Sequence, residues 1–289
     1  MKSSNTYKIF IYTALTCEAK AVIEHYKLKK DLNVHAFAVY LNNDICLTVT
    51  GLGKSAMAAG VAYTQARYGT NEPVTLVNIG IAGHQHHALG KLFLIDKITD
   101  IDSQKSYYPS SIAAAHYPRA SLQTVSKPQY EYHASELCDM EASAFYETAV
   151  RFTTSELILC MKVISDNQYS SADAINAKQV SSLIAAQLST IEVLLIKTCA
   201  LAVIITSHES QLFNRLVQDY HFTAQQRQQL KSQLKRWDVI TDQQPLLFDD
   251  TQLVTAKDVL LYLDSCINRV NFNLKKKLTK NSSAAIETS

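Results

Sequence analysis

Length, composition and charge favour a soluble enzyme-sized protein. The chain has 289 residues, of which 47% are hydrophobic and 19% charged, enough for one large domain or one domain with an appendage. Its formal net charge of +2 gives no reason to expect nucleic acid or a membrane surface as the main partner.

The cysteines and the apolar segments favour the cytoplasm. Six cysteines form no CxxC pair and show no zinc-site spacing, and several lie in apolar runs, as reduced core cysteines do. The polar first residues run directly into "IFIYTAL", without the pattern of a secretory signal. The longest apolar stretch, "VLLIKTCALAVII", contains Lys197 and is short for a membrane span. We therefore expect a cytoplasmic protein without membrane contacts.

In chain order, strands alternate with helices over the first two thirds of the sequence. Apolar β-rich runs predict strands over 7–15, 73–83, 90–102 and 156–167, and a hairpin over 34–51 that turns at Asn42-Asn43. Helical patterns cover 18–26, 53–69, the segment from Met140 onward, and 173–196. A loop with Pro109, Pro118 and Pro128 follows the strand over 90–102. The alternation predicts an α/β fold, a three-layer sandwich with a central twisted mixed sheet.

The last ninety residues have a different character. All seven glycines lie at or before Gly90, whereas the end of the chain is polar and helical. In "TAQQRQQLKSQLKRW", Thr223 is expected to cap a helix on which Leu230 and Leu234 share a face. We therefore predict an α/β domain over 1–199 and a mostly helical C-terminal extension over 200–289. We expect the basic segments of this extension to form a solvent-exposed helical face, and docking to a partner is the alternative.

Acidic residues and glycines gather where the predicted strands end. Glu18 follows the first strand, and Asp139 and Glu141 open a helix. The remaining groups at strand ends are Gly51, Gly53, Gly80, Gly83, Ser165, Asp166 and Asn167. Ligands of α/β proteins usually bind at such ends, so these residues predict one pocket. Helix capping is the alternative explanation for the two acids that open the helix.

Two motifs resemble other kinds of site but lack a required residue. "GLGKS" would form a phosphate-binding P-loop only with glycine at position 48, which is Thr48, so nucleoside triphosphate hydrolysis is not expected. "GHQHH" offers His84, His86 and His87, but no nearby carboxylate or cysteine completes a zinc site. We expect a polar loop there, and neither a metal nor another cofactor.

Five motifs in order carry a resemblance to a known family: "ALTCEA", "VTGLGKSAMAAG", "VNIGIAG", "DMEASAF" and "KVISDN". Over residues 7–197 the chain resembles the nucleoside phosphorylase/nucleosidase superfamily, most nearly its methylthioadenosine/S-adenosylhomocysteine nucleosidase branch. The resemblance implies a single phosphorylase-like α/β domain, commonly a homodimer, that cleaves the N-glycosidic bond of a purine nucleoside. The expected partner is therefore a small-molecule purine nucleoside.

The resemblance also implies catalytic roles. Asp166 matches the acid that donates a proton or a strong hydrogen bond to the leaving purine, and burial would raise its pKa towards neutrality. Ser165 is expected to orient that carboxylate. Glu18 matches the base that activates the attacking water.

Further residues match the substrate-binding positions of the family. Glu141 is expected to accept hydrogen bonds from the two ribose hydroxyls, and Met140 to pack against the sugar. Asp139 is expected to act only as a helix cap. The other candidate substrate-binding residues are Gly51, Gly80, Ala82, Gly83, Lys162, Asn167 and Tyr130.

The nucleophile divides the superfamily into phosphorylases and nucleosidases. Phosphorylases need a cationic site for phosphate, for which arginine is well suited. This chain has no arginine before Arg67, and the loop after the first strand carries Glu18 instead. Hydrolysis is therefore favoured, and a phosphate-dependent phosphorylase is the alternative.

Three departures from the family pattern leave the substrate open. Lys162 stands where nucleosidases usually have arginine, and Ile81 where they usually have serine. The segment between 100 and 139, which normally supplies aromatic residues that stack on the base, is short. Available substitutes are Tyr107, Tyr108, Tyr117 and Tyr130. A futalosine-type hydrolase and a nucleoside-binding protein without turnover therefore remain alternatives.

Overall fold

In a computed structural model the chain forms two compact units, residues 1–206 and 207–289. The structure describes residues 7–70, 72–110, 112, 116–129, 135–207, 211–241, 244–246 and 253–270. The predicted division after residue 199 falls inside a helix, Leu188–Ser207.

Among its described residues, the first unit contains ten strands and five α-helices. The strands are β1 (Ile9–Thr13), β2 (Lys29–Lys30), β3 (Ala38–Leu41), β4 (Ile45–Val49), β5 (Thr75–Gly83), β6 (Leu92–Asp100), β7 (Ser106–Tyr107), β8 (Arg119–Thr124), β9 (Leu137–Asp139) and β10 (Ile158–Asp166). The helices are α1 (Thr16–Tyr26), α2 (Lys54–Tyr68), α3 (Ala142–Ala149), α4 (Ala177–Ala185) and α5 (Leu188–Ser207).

All ten strands belong to one mixed sheet that closes on itself at one side. β5 pairs in parallel with β1 and β10, and β1 pairs in parallel with β4. The antiparallel β3 and β2 extend this open side of the sheet. On the other side, the pairings run from β10 to β6, β8 and β9, and β9 returns to the end of β5 through Gly83 and Cys138. β5, β10, β6, β8 and β9 therefore form a closed ring.

Helices cover both faces of the sheet, as the three-layer prediction requires. Along β5, Leu76 belongs to a core cluster that also contains Met57 of α2 and Phe145 of α3. The next residue, Val77, belongs to a second cluster, which contains Val22 of α1 and residues of α4 and α5. Because successive side chains of a strand point to opposite faces, both faces are buried. The predicted α/β sandwich with a mixed sheet is confirmed.

The locally specified elements agree with the predictions. Asn42 holds the hairpin turn, since its side-chain oxygen accepts the backbone N–H groups of Asp44 (2.9 Å) and Ile45 (2.7 Å). β3 and β4 pair antiparallel on either side of this turn. The predicted helix over 53–69 is present as α2, and Gly69 follows its last residue.

Two predictions about the middle of the chain are wrong. The single helix predicted over 173–196 is two helices, α4 and α5. Gln187 lies at the break, where its side-chain amide donates to the Gly90 carbonyl (2.8 Å) and ties the chain to the loop before β6. The predicted proline-containing loop includes β8, which forms because it pairs with β6 on one edge and β9 on the other.

Helix α5 is the most apolar helix of the first unit. Its segment Leu188–Ile205 is long and apolar enough to cross a membrane by length and composition alone. Ile191, Leu194 and Leu195 nevertheless pack in the core of the unit. Buried helices of soluble proteins meet the same criterion, so this segment is weak support for a membrane span.

The second unit has its own small core. It contains α6 (Gln211–Asp219), α7 (Ala224–Thr241) and α8 (Ala256–Arg269). The predicted cap of α7 is confirmed, because Thr223 Oγ1 accepts the Gln226 N–H at 3.3 Å. Leu230 and Leu234 are both buried, as their shared face predicts, and pack with apolar residues of α6 and α8. The helical character predicted for this part of the chain is therefore observed.

Candidate active site

The carboxyl ends of four parallel strands meet at one edge of the sheet. β4, β1, β5 and β10 lie side by side and run in the same direction. The segments after β4 and β1 carry Gly51, Gly53 and Glu18, whereas β5 and β10 end at Gly83 and Asp166. The topology therefore brings most of the predicted site to one edge.

Glu18, at the start of α1, is buried and held by backbone amides. Its Oε2 accepts the N–H groups of Ala14 (2.9 Å) and Leu15 (2.8 Å), and its Oε1 accepts that of Ile81 (3.0 Å). Burial raises the pKa of Glu18, while the Lys162 ammonium and these amides oppose the rise. Each carboxylate oxygen accepts two hydrogen bonds, so Oε1 keeps one acceptor position.

Gly80 allows two charged groups to approach the backbone of β5. A Cβ atom at this position would lie 3.0 Å from Glu18 Oε1 and 3.1 Å from Lys162 Nζ. Lys162 lies opposite Gly80 in the register of β10 and β5. A side chain at Gly80 would therefore displace Glu18 or Lys162, which is the close approach expected of this glycine.

Lys162 forms a buried ion pair with Asp139. The Nζ and Oδ2 atoms are 2.8 Å apart, and the two side chains are 2% and 1% exposed. Asp139 also accepts hydrogen bonds from Ala142 N–H (2.9 Å) and Thr124 Oγ1 (2.8 Å). Asp139 therefore does cap α3, but the prediction that it acts only as a cap is wrong. Burial opposes the charge of Lys162, yet Asp139 and its neighbours hold the Lys162 pKa above its usual value.

Glu141 connects α3 to the loop before α2. Its Oε1 accepts the Gly53 N–H at 2.8 Å, and the residue is 6% exposed. Gly53 has a φ of +92°, a conformation that glycine adopts without strain. Burial, and then the negative charge of Asp139, raise the pKa of Glu141 to about 7. Met140, the residue before it, is half-buried.

Asp166 is the last residue of β10. It pairs with Gly83 after a register shift at Ser165, and its carbonyl accepts the His84 N–H at 3.1 Å. Ser165 Oγ donates to Asp166 Oδ1 and also lies 3.5 Å from the Ala82 carbonyl oxygen. Burial raises the pKa of Asp166 to about 6.

The predicted residues form two groups along β10. In the first group, Lys162 pairs with Asp139, and its charge opposes the rise that burial causes in the pKa values of Glu18 and Glu141. Asp166 lies four residues further along the strand, roughly 13 Å at the usual rise per residue. This spacing separates the backbone positions of Lys162 and Asp166 on the strand.

Other predicted residues have structural contacts or lie outside the description. Asn167 shapes the turn after β10, since its Nδ2 donates to the His87 carbonyl and its Oδ1 accepts the Tyr169 and Ser170 N–H groups. Gly51, at a φ of +91°, donates its N–H to the Ala14 carbonyl. Tyr130 lies outside the described residues.

The loop that contains His84, His86 and His87 is held by the side chain of His84. His84 Nδ1 accepts the N–H groups of His86 and His87, both at 3.0 Å, and His84 Nε2 lies 3.1 Å from the Ser135 carbonyl oxygen. Both ring nitrogens therefore have protein partners. Within the described ranges, no group of three or more His, Cys, Asp or Glu side chains is placed to hold a metal ion.

Sequence reasoning missed a second ionic cluster beside the site. Lys54 Nζ lies 3.0 Å from Asp100 Oδ2 and 2.5 Å from Asp102 Oδ2. Asp100 Oδ2 also accepts the Ser143 hydroxyl at 2.7 Å. The acidic run "DID" at the end of β6 was the available signal, but the sequence does not show that Lys54 reaches it.

A cavity of about 290 Å³ lies on the α4 side of Ser165. Leu89, Ile175 and Leu183 give it an apolar part, and Lys178 gives it a cation. Ser165 lines this cavity and also donates to Asp166, so its hydroxyl links the cavity wall to the predicted acid.

Comparisons with known proteins identify the class of fold. No family model and no curated protein matches the sequence. Solved structures do match, and the chain has the fold of the nucleoside phosphorylase/nucleosidase superfamily. The resemblance inferred from the five motifs is confirmed at the level of the fold.

Within that superfamily, similar structures are named nucleosidases and hydrolases. The 5'-methylthioadenosine/S-adenosylhomocysteine nucleosidase of Helicobacter pylori has a TM-score of 0.54 at 11% identity, covering 66% of this chain and 99% of its own. The futalosine hydrolase of the same organism has a TM-score of 0.55 at 12% identity, covering 68% and 100%. The MTAN of Chlamydia trachomatis has a TM-score of 0.50 at 19% identity, covering 64% and 97%.

Proposed function

We propose that this protein hydrolyses the N-glycosidic bond of a purine nucleoside. The observation that carries the proposal is the meeting of Glu18 and Lys162 at Gly80, with Glu141 close enough to interact with the Lys162 charge, on the same strand pair that ends at Asp166. These groups are what glycoside cleavage requires: an acid for the leaving group, an acceptor for the sugar hydroxyls and a base for water.

Asp166 is the proposed acid. As the bond between C1′ and the purine nitrogen breaks, the electron pair moves to the base, and Asp166 donates a proton to a ring nitrogen. Ser165 donates to Oδ1, which leaves Oδ2 to carry that proton. With a pKa of about 6, roughly a tenth of Asp166 is protonated at pH 7, so the proton is available and readily donated.

Glu141 is the proposed ribose acceptor. One of its oxygens accepts the Gly53 N–H, and an ionised carboxylate has further acceptor positions for two hydroxyl groups. Its burial makes such charge-assisted hydrogen bonds strong, provided that the group is ionised. Met140 lies next to it in the chain and is proposed to pack against the sugar ring.

Water is the proposed nucleophile, and Glu18 its base. The water oxygen attacks C1′ while its proton moves to the free acceptor position of Glu18. Phosphate is disfavoured by charge, because the three carboxyl groups of Glu18, Asp139 and Glu141 lie near Lys162, whose charge is already paired with Asp139. A phosphate dianion would meet net repulsion in this poorly screened site.

A panel of nucleosides tests the proposal. Purified protein is incubated with methylthioadenosine, S-adenosylhomocysteine, futalosine, adenosine and inosine, each with and without phosphate, and free base is measured by chromatography. Release of base without phosphate supports the proposal. Release only with phosphate would make the protein a phosphorylase, and release from none of them would refute the proposal.

Futalosine belongs in this panel because the futalosine hydrolase structure is similar over 68% of the chain. The chemistry proposed for Asp166, Glu141 and Glu18 would be the same for that substrate. Binding without turnover is the other candidate, and the separate C-terminal unit is the observation that favours it. Thermal stabilisation by a nucleoside without base release would identify a binding protein.

The proposal also covers the cellular location, the oligomeric state and the partners of the protein. All six cysteines carry free thiols, which suits a cytoplasmic location. The homodimer remains a prediction, to be tested by light scattering coupled to size-exclusion chromatography. The expected absence of nucleic-acid and membrane partners likewise remains a prediction.

A further inference from the structure

The start of α2 and the start of α3 are joined twice. Gly53 donates its backbone N–H to Glu141 Oε1 at 2.8 Å. The next residue, Lys54, lies 3.0 Å from Asp100 Oδ2, and the same oxygen accepts the Ser143 hydroxyl at 2.7 Å. The neighbouring residues Gly53 and Lys54 are therefore linked to Glu141 directly and to Ser143 through Asp100.

Asp100, which connects Lys54 to Ser143, is held in place by several hydrogen bonds. Its side chain is 9% exposed, and its Oδ1 accepts the N–H groups of Asp102 (3.1 Å) and Ser103 (2.9 Å). Although burial opposes its ionisation, hydrogen bonds from Ser103, Ser143 and Lys54 hold the Asp100 pKa below its usual value. A buried, ionised and anchored carboxylate fixes the position of its cation better than an exposed one does.

We propose that Lys54 is a positioning residue, whose contact with Asp100 holds the Gly53 amide against Glu141 and thereby orients Glu141 for the sugar. Gly53 lies in a left-handed conformation that the backbone alone does not enforce, because glycine has many accessible conformations. Lys54 removes that freedom by tying the residue after Gly53 to the end of β6. The kinetic part of the inference rests on the proposed function, whereas the structural part does not.

Hydrogen exchange at Gly53 tests the structural part without any substrate. Protein labelled with [15N]glycine has only seven glycine amides, and Glu141→Gln identifies the Gly53 signal because it alters the acceptor of that amide. Lys54→Met should speed exchange at Gly53 about tenfold or more, since a hydrogen bond to a carboxylate contributes about 1.5–3 kcal/mol. The Gly80 amide, inside β5, should exchange as in the wild type.

Matched variants make this test specific. Lys54→Arg keeps the cation and should restore most of the Gly53 protection. Lys8→Met removes an exposed ion pair with Asp44, 2.8 Å long and remote in sequence from α2 and α3, and should leave Gly53 unchanged. The inference is overturned if Gly53 exchange in Lys54→Met stays within about twofold of wild type. It is also overturned if Gly80 accelerates equally, or if Lys8→Met has the same effect.

Kinetics tests the consequence for the sugar site. In Lys54→Met, KM for the nucleoside should rise about tenfold or more while kcat changes little, because a misplaced binding group weakens substrate binding. A fall in kcat at unchanged KM would overturn the assignment to Glu141. If the wild-type protein releases no base from any nucleoside, the proposed function fails, and the exchange experiment alone decides the role of Lys54.

Discussion

The Lys162 ammonium lies 2.8 Å from the Asp139 carboxylate, and both side chains are almost fully buried. Glu18 and Glu141 lie close enough for the same ammonium to influence their pKa values. One cation therefore neutralises part of a cluster of three carboxyl groups, and the integrity of the proposed site depends on it.

Lys162→Met should destabilise the folded protein by about 3–5 kcal/mol, because it leaves Asp139 buried without its partner. Urea unfolding at pH 7 measures the change in free energy of unfolding. Lys8→Met, which breaks an exposed pair, should change the free energy of unfolding far less and serves as the control. Equal effects of the two substitutions would show that Lys162 has no special role in the cluster.

Asp166→Asn should lower kcat by about 10²–10⁴-fold with little change in KM, since asparagine cannot supply the proton. Base release from the preferred nucleoside measures this change. Asp173→Asn, an exposed change in the segment before α4, is the matched control and should retain activity. Turnover by Asp166→Asn at the wild-type rate would remove Asp166 from the mechanism.

The same substitution should change how stability depends on pH. The folded-state pKa of Asp166, about 6, lies above the value of about 3.9 for an unfolded chain, so the folded state binds this proton more tightly. The resulting stability is fully present below about pH 4 and is lost as pH rises through 6. The Tm of Asp166→Asn should therefore rise relative to the Tm of the wild type as the pH increases from 4 to 7. A difference in Tm that is constant with pH contradicts this.

The pH profile of kcat/KM should be bell-shaped, with its maximum between about 6 and 7. Glu141 must be ionised to accept two hydroxyl donors, and its pKa is about 7, whereas Asp166 must be protonated, and its pKa is about 6. Asp166→Asn should lose the decline on the alkaline side in its residual activity. A profile that is flat between pH 5 and 8 would argue against both assignments.

The sequence was informative where structure is determined locally. The Asn42 turn and helix α2 were predictable because their signals lie within a few residues. The break at Gln187 was not, since it depends on a contact with Gly90, 97 positions away. Strand β8 was also missed, because pairing on both edges rather than apolar alternation stabilises it.

The candidate site was predictable only in part for the same reason. Five ordered motifs placed Glu18, Glu141 and Asp166 at strand ends, and the parallel topology brings those ends to one edge. The partner of Lys162 was not predictable, because Asp139 lies 23 residues earlier and its position beside an apparent helix start suggested a cap. Ion pairs between distant segments depend on packing that no local pattern records.

The closed ring of β5, β10, β6, β8 and β9 affects when the proposed site can form during synthesis. β10 is the last of the ten strands to leave the ribosome, yet it pairs with β5, which precedes it by about eighty residues. Such distant contacts form slowly, because a long loop must close first. Lys162 and Asp166 both lie on β10, so the proposed active site can form in a nascent chain only after this strand has inserted.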